Sequence, residues 1–140
     1  MAQIHTYLTF EGNCEEAFNF YKSVFKKEFE YVGKFKDMPS ETPVPDSEKD
    51  KIMHISLPIN EYTKLMGSDT MEGFGPKITK GNNYSISVNA DSKKEAEEIF
   101  EALSANGNIT MKLEKTFWAA LFGMCIDKFG INWMVNYDEQ

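Results

Sequence analysis

The sequence is poor in the features that mark secreted and membrane proteins. It has two cysteines in 140 residues, Cys14 and Cys125, which form neither a disulfide framework nor a zinc-ligand spacing. No apolar run approaches the roughly 20 residues that span a bilayer. Residues 1–10 lack the basic start and the apolar stretch of a signal peptide. We therefore expect a soluble cytoplasmic protein with free thiols, as suits a reducing compartment.

Positive charge is also scarce. Fifteen Lys and Arg residues stand against 22 Asp and Glu residues, so the net charge is −7. A negatively charged protein is repelled by phosphate backbones and by anionic lipid surfaces. We therefore expect neither a nucleic acid nor a membrane as partner. Hydrophobic residues make up 41% of the chain and aromatics 14%. That composition is enough to fill the core of one domain without disulfides or metal.

The first half opens with a strand and a helix. Apolar and polar side chains alternate over residues 4–10, which predicts a strand with one mostly apolar face. Asn13 can cap a helix that we predict over residues 14–25. Its apolar stripe has the i, i+3, i+4, i+7 spacing of one helix face and consists of Ala17, Phe20, Tyr21 and Val24.

The second half repeats this order. Alternation over residues 84–88 predicts another strand, and Ser92 is a good cap for the helix that follows. Gly107 is the residue expected to end that helix. Its stripe has the spacing of the first one and consists of Ala96, Ile99, Phe100 and Leu103.

Three strand-like stretches follow each helix, so both halves read βαβββ. They cover residues 28–35, 51–59, 62–68, 109–114, 117–126 and 131–137. The proline-rich residues 36–50 are predicted to be a surface loop, and residues 70–82 a linker or a lid. Because a half alone would leave one face of its sheet bare, we expect one domain, 1–140. Module one then spans about 3–69 and module two about 82–137.

Several short segments of the sequence resemble those of the PhnB-like branch of the vicinal oxygen chelate superfamily. This superfamily includes glyoxalases, bleomycin-resistance proteins and extradiol dioxygenases. The resemblance runs from about residue 3 to residue 137. The segments are residues 7–17 (YLTFEGNCEEA), 20–21 (FY), 67–69 (GSD), 116–118 (TFW) and 127–130 (DKFG), followed by Trp133.

This resemblance implies an α+β fold in which two βαβββ modules form curved sheets around a cavity, and it implies a homodimer. PhnB-like proteins carry the name demethylubiquinone methyltransferase. The chain lacks a Gly-rich turn after a strand that would hold the nucleotide of a methyl donor. We therefore expect neither that reaction nor a cofactor.

The resemblance also places the superfamily's metal ligands on particular residues. His5 matches a ligand on the first strand. Met66 stands where a carboxylate is expected, Met134 where Glu is expected, and Asn83, or Tyr84 if the register slips, where His or Gln is expected. Because hard divalent cations need several oxygen or nitrogen donors, we expect no metal site.

Histidine and cysteine leave alternatives open. His54 is the only other histidine and alternation places it on the face of His5, so the pair could act as a general base or serve as hydrogen-bonded residues of a sheet. Cys14 lies at a helix start, where a thiol can become a nucleophile. With no histidine nearby in sequence, a small residue packed beneath the turn is the better interpretation. Cys125 is expected in the core.

The favoured function is the binding of a small organic molecule in a metal-free, partly apolar cavity. The alternative is a divalent-metal-dependent lyase, transferase or dioxygenase that uses His5 and His54, and a third possibility is an interaction protein. No reaction is assigned. The residues expected to line the cavity are His5, Tyr7, His54, Met66, Asn83, Ser85, Trp118, Met134 and Asn136.

Overall fold

Strands and helices follow one another in the predicted order. The computed structural model describes residues 2–39, 43–71, 73 and 77–139. The chain divides into two compact units, Met1–Thr79 and Lys80–Gln140. Among the described residues, no helix has the length and apolar character needed to cross a bilayer.

The described part of the first unit contains one α-helix and a four-stranded sheet with the strand order β1-β4-β3-β2. Strands β1 and β4 run parallel, and the other neighbours are antiparallel. A short 3-10 helix, Phe35–Asp37, follows β2. The elements are β1 (Thr6–Phe10), α1 (Cys14–Phe25), β2 (Tyr31–Lys34), β3 (Ile52–Pro58) and β4 (Lys64–Asp69).

The second unit repeats this architecture with the strand order β5-β8-β7-β6. Again the first and last strands run parallel and the others are antiparallel. The predicted βαβββ order is therefore confirmed in both units. The elements are β5 (Ile86–Asn89), α2 (Lys93–Ser104), β6 (Asn108–Glu114), β7 (Leu121–Ile126) and β8 (Asn132–Tyr137).

Helix α1 has the predicted bounds, but one residue of its predicted buried face is wrong. Phe18 is fully buried, whereas Phe20 of the predicted stripe is half-buried. The reason lies in the sheet, where Gly67 has no side chain. A Cβ at Gly67 would lie 2.6 Å from the Phe18 ring, so the ring packs on the bare backbone of β4. Phe18 is a core residue because its ring packs closely on the β4 backbone at Gly67.

The two helices begin differently. Ser92 caps α2 as predicted, accepting a hydrogen bond from the Glu95 backbone N–H at 3.0 Å. The predicted cap of α1 is wrong, because the Asn13 side chain makes no capping hydrogen bond. The Cys14 backbone N–H instead donates to the carboxylate of Asp69, at the far end of β4, at 3.0 Å. A long-range carboxylate thus replaces the local cap.

The end of α2 corrects another prediction. The helix ends at Ser104, and Asn106, not Gly107, adopts the left-handed conformation with φ of 60°. Gly107 is needed for a different reason, because a Cβ there would collide with the backbone oxygen of Ile126. The glycine therefore serves the close approach of β6 to β7.

The described part of the proline-rich loop is mostly exposed, in agreement with the prediction, but it contains one buried residue. Glu48 is only 2% exposed, and its carboxylate forms an ion pair with Lys51. Burial of an ionised group at this position is tolerated because it is paired. Residues 40–42 of the loop, and residues 72 and 74–76 of the predicted linker or lid, lie outside the described residues.

Candidate functional site

Strand register decides which side chains of the first sheet face away from α1. Leu8 of β1 pairs with Gly67 of β4, and Gly67 pairs with Ile55 of β3. Leu8 and Ile55 are buried and Gly67 contacts the helix, so this row faces α1. Because side chains alternate along a strand, the next row faces the opposite side. That row consists of Tyr7, Met66, Ser56 and Tyr31, and we call this side the open face of the first sheet.

Two tyrosines and a histidine meet on the open face. The rings of Tyr7 and His54 stack at a centroid distance of 5.7 Å and an angle of 20°, and the Tyr7 hydroxyl lies 3.3 Å from His54 Nδ1. The Tyr31 ring lies 5.8 Å from the His54 ring. Tyr7 and Tyr31 remain 47% and 48% exposed. These three residues are the aromatic cluster, which offers ring faces together with phenol and imidazole hydrogen-bonding groups.

A glycine makes room for the cluster. Gly33 is paired with His54 across β2 and β3. A Cβ at Gly33 would lie 2.6 Å from the hydroxyl oxygen of Tyr31, so the Tyr31 side chain folds back over this position. The absent side chain therefore allows Tyr31 to lie beside His54.

A charged network borders the aromatic cluster. The Ser56 hydroxyl donates to Glu30 Oε1 at 2.8 Å, and Lys64 Nζ lies 2.6 Å from the same oxygen. Hydrogen bonds from Lys64 and Ser56, together with the charges of Lys64 and His5, hold the pKa of Glu30 below its usual value. The carboxylate is thus fixed in its ionised form at the edge of the open face.

Both ring nitrogens of His5 already have hydrogen-bond partners. Nδ1 accepts from the Lys64 backbone N–H at 3.3 Å, and Nε2 lies 3.2 Å from Gln3 Oε1. These contacts occupy both ring nitrogens, so a metal ion would have to displace one of them.

The second metal position that the family resemblance assigns to the first unit is Met66, which supplies no oxygen or nitrogen donor. Met66 lies on the open face between Tyr7 and Ser56, where it presents a thioether. Among residues 2–39, 43–71, 73 and 77–139, no three His, Cys, Asp or Glu side chains form a group that could hold a metal ion. A soft thioether and an engaged imidazole do not fit a hard divalent cation.

The second sheet carries two of the predicted residues on its own open face. Trp133 and Val135 are fully buried on β8, on the α2 side. Met134 and Asn136 alternate with them and therefore face the other way. Asn83 and Ser85 lie before the first residue of β5. Asn83 is exposed and Ser85 is half-buried.

Trp118 lies apart from these residues of the second sheet, in the turn that precedes β7. The predicted strand over 117–126 is too long, because β7 starts at Leu121. Trp118 packs edge-on against Phe117 and Phe122, with centroid distances of 4.8 and 5.5 Å. It lines a cavity of about 500 Å³ within the second unit.

The two cysteines are free and buried, as predicted. Burial raises the pKa of the Cys14 thiol far above its usual value, and the charges of Asp69 and Glu15 raise it further. Burial and the charge of Asp127 raise the pKa of Cys125 to about 11. The position at a helix start therefore does not make Cys14 a nucleophile, and both residues belong to the core.

Sequence reasoning missed two residues of the first unit's site. Tyr31 could have been predicted from alternation in its strand. It lies two positions before Gly33 and therefore on the same face of the sheet. Glu30 had no such signal. Its role depends on Lys64 and Ser56, which come close only when β2, β3 and β4 form one sheet.

Comparison with known proteins places the whole chain in one family. The family model for 3-demethylubiquinone-9 3-methyltransferase matches residues 2–136. Protein YjdN of Escherichia coli strain K12 is 32% identical over 140 residues, which cover 96% of this chain and 94% of that protein. Protein PA1353 from Pseudomonas aeruginosa is 44% identical, with full coverage of both chains and a TM-score of 0.86. The PhnB protein from Bacillus cereus is 26% identical over 97% of this chain and 99% of that one, with a TM-score of 0.75.

More distant structures are similar in fold alone. A glyoxylase/bleomycin resistance protein/dioxygenase domain from Frankia has a TM-score of 0.67 at 10% identity, covering all of this chain and 94% of that one. The fosfomycin resistance protein FosX from Listeria monocytogenes has a TM-score of 0.63 at 10% identity, covering 99% of this chain and 93% of that one. The chain therefore belongs to the 3-demethylubiquinone-9 3-methyltransferase, or PhnB-like, family, and its fold is similar to that of the glyoxylase/bleomycin resistance protein/dioxygenase domain.

Proposed function

We propose that this chain binds a small, planar organic molecule on the open face of its first sheet, without the help of a metal ion. The observation that carries the proposal is the aromatic cluster. Its two half-exposed tyrosines and stacked histidine combine ring faces with hydrogen-bonding groups. Binding sites for organic ligands combine apolar walls with a few placed polar groups in this way.

The donor set supports the metal-free part of the proposal. The two nitrogens of His5 have protein partners, and Met66 takes the place of an acidic ligand. A ligand at this face is then held by stacking on Tyr7 or Tyr31 and by hydrogen bonds to the phenols and to His54. Stacked aromatic pairs contribute about 0.5–1.5 kcal/mol beyond the burial of their area.

The two histidines allow a direct test by nuclear magnetic resonance. With His5 and His54 as the only histidines, the imidazole C–H signals report on both positions separately. Titration with benzamide, a neutral planar probe with one amide group, should shift the His54 signals more than the His5 signals. The variant Tyr31→Leu should weaken benzamide binding by about fivefold, as expected for the loss of one stacking partner.

Tyr62→Leu is the matched control, because Tyr62 is 70% exposed in the same unit and does not belong to the cluster. It should bind benzamide like the parent protein. Equal weakening by both variants, or unshifted His54 signals at saturating benzamide, would contradict the proposal. Tight stoichiometric Zn²⁺ or Mn²⁺ that is lost in His5→Ala would instead favour the metal-dependent enzyme of the superfamily.

A further inference from the structure

We propose that the cavity beside Trp118 is a separate binding site for aromatic amino acids. The cavity has a volume of about 500 Å³ and lies within the second unit. Residues 115–121, residues 137–139 and Lys93 line it. It shares no residue with the aromatic cluster, so the proposal does not rest on the function proposed above. A volume of this size accommodates a small organic ligand.

An ordered turn presents the aromatic wall of the cavity. The Thr116 backbone N–H donates to the Ala119 carbonyl at 3.1 Å, and the Ala119 N–H donates back to the Thr116 hydroxyl at 3.1 Å. Phe117 and Trp118 lie between these two residues and are 97% and 53% exposed. Large exposed aromatics held on an ordered turn offer stacking surface at little entropic cost.

The charges around the cavity are of both signs. Lys93 and Lys115 provide two ammonium groups, and Asp138 and Glu139 provide two carboxylates. A ligand that carries only one charge would meet a like charge as well as an opposite one. A ligand with a ring, a carboxylate and an ammonium group matches the ring surface and both kinds of charge, and free aromatic amino acids have this chemistry.

Tryptophan fluorescence can locate the site, using L-phenylalanine as the probe. The chain has two tryptophans, and Trp133 is 1% exposed with its indole N–H bonded to Asp127 at 2.8 Å. In the free protein, acrylamide should therefore quench Trp118 and spare Trp133. L-Phenylalanine does not absorb at the red edge of the tryptophan band, and its binding should protect Trp118 from acrylamide. Trp118→Leu should weaken binding by about fivefold in ligand-observed resonance titrations.

Analogues that lack one charge test which side chains recognise which group. The double variant Lys93→Gln/Lys115→Gln should weaken the binding of L-phenylalanine about fivefold and should not weaken the binding of phenethylamine, which has no carboxylate to lose a partner. The double variant Asp138→Asn/Glu139→Gln should weaken the binding of L-phenylalanine and phenethylamine and should not weaken the binding of 3-phenylpropanoate. Lys94→Gln is the matched control, since it removes a positive charge beside Lys93 but outside the cavity lining. It should change none of these affinities.

Four results would overturn the proposal. The first is a failure of L-phenylalanine to protect Trp118 at tens of millimolar. The second is an affinity for either single-charge analogue that equals the affinity for L-phenylalanine. The third is that acrylamide fails to quench Trp118 in the ligand-free protein while the measured molar mass is that of two chains. In that case a second copy of the chain would cover the cavity. A change in L-phenylalanine affinity in Lys94→Gln as large as in the double lysine variant would also contradict it.

Discussion

At the residue scale, one buried carboxylate holds together three segments of the first unit. Asp69 Oδ1 accepts from the backbone N–H groups of Gly12 at 2.8 Å and Cys14 at 3.0 Å, and its Oδ2 accepts from Ile52 at 2.9 Å. The residue is 5% exposed. A buried carboxylate is tolerated when such charge-assisted hydrogen bonds replace its water.

Asp69→Ala should therefore destabilise the protein by about 3 kcal/mol, because the buried backbone donors of Cys14 and Ile52 and the part-buried donor of Gly12 lose their acceptor at once. Chemical denaturation followed by circular dichroism measures this change. Asp50→Ala is the control, since its carboxylate is 64% exposed and forms a surface ion pair with Lys36 at 3.3 Å. Equal effects of the two substitutions would show that the hydrogen bonds of Asp69 contribute little.

Glu30 makes stability depend on pH in a predictable direction. Its folded pKa lies below the usual 4.5, with the Lys64 hydrogen bond as the first cause. Its contribution is complete above the unfolded pKa and is lost as pH falls through the folded pKa. Between about pH 5 and about pH 3, the melting temperature of the parent protein should fall more steeply than that of Glu30→Gln. Lys64→Gln should flatten the slope as well, and three parallel curves would contradict the assignment.

At the element scale, the two helices show how differently a helix start can be specified. The start of α2 is encoded locally, since Ser92 and the backbone N–H it caps are three residues apart. The start of α1 depends on Asp69, which is 55 residues away from Cys14. Helix α2 therefore has its cap as soon as it forms, whereas α1 obtains its cap only when β4 is in place.

This difference predicts unequal effects of two similar substitutions. Ser92→Ala should cost about 1 kcal/mol of stability, because the Glu95 N–H loses its acceptor. Asn13→Ala should change stability by less than about 0.5 kcal/mol, because the Asn13 side chain makes no capping hydrogen bond. Paired urea titrations check both values. A larger loss in Asn13→Ala than in Ser92→Ala would contradict this account of the helix starts.

Sequence periodicity predicted the elements well because their apolar stripes are local. The bounds of α1 came from the spacing of Ala17, Tyr21 and Val24, which are all buried. The burial of Phe18 did not follow from that spacing, because it depends on Gly67 in a distant strand. The start of β7 was misplaced for a local reason, since side-chain hydrogen bonding by Thr116 forms a turn within an apolar stretch.

At the scale of the whole molecule, each unit covers one face of its sheet with one helix. The contacts of α1 run to β3 and β4, and those of α2 run to β6, β7 and β8. The other faces carry a mixture of aromatic, thioether and polar side chains, including Tyr7 and Met66 in the first unit and Met134 in the second. Such mixed surfaces suit ligand or subunit contacts better than free exposure to water.

We expect a homodimer, because the aromatic share of 14% is high for a 16.0 kDa chain. Light scattering coupled to gel filtration at micromolar concentration should give twice the chain mass. A dilution series is the control, since the mass of a specific dimer should stay constant until its dissociation constant is reached. A mass near that of one chain throughout would remove the expectation.

The candidate site was predictable where it depends on alternation within one strand. His5 and Tyr7 lie on β1 or directly before it, and Tyr7 and His54 meet on the face that alternation assigned to them. The hydrogen bonds of His5 were not predictable, because Lys64 is 59 residues away. That Met66 and Met134 share a cavity remains a prediction from the family resemblance, as their strands belong to different units.

The hydrogen bonds of Asp69 also have a consequence for hydrogen exchange. The amide protons of Gly12, in the turn before α1, of Cys14, at the start of α1, and of Ile52, at the start of β3, are bonded to one side chain. Opening the start of α1 would break the hydrogen bonds of Gly12 and Cys14 at once, so local fraying there is disfavoured. The three amides should therefore exchange with deuterium at one common rate, set by the cooperative unfolding of the first unit.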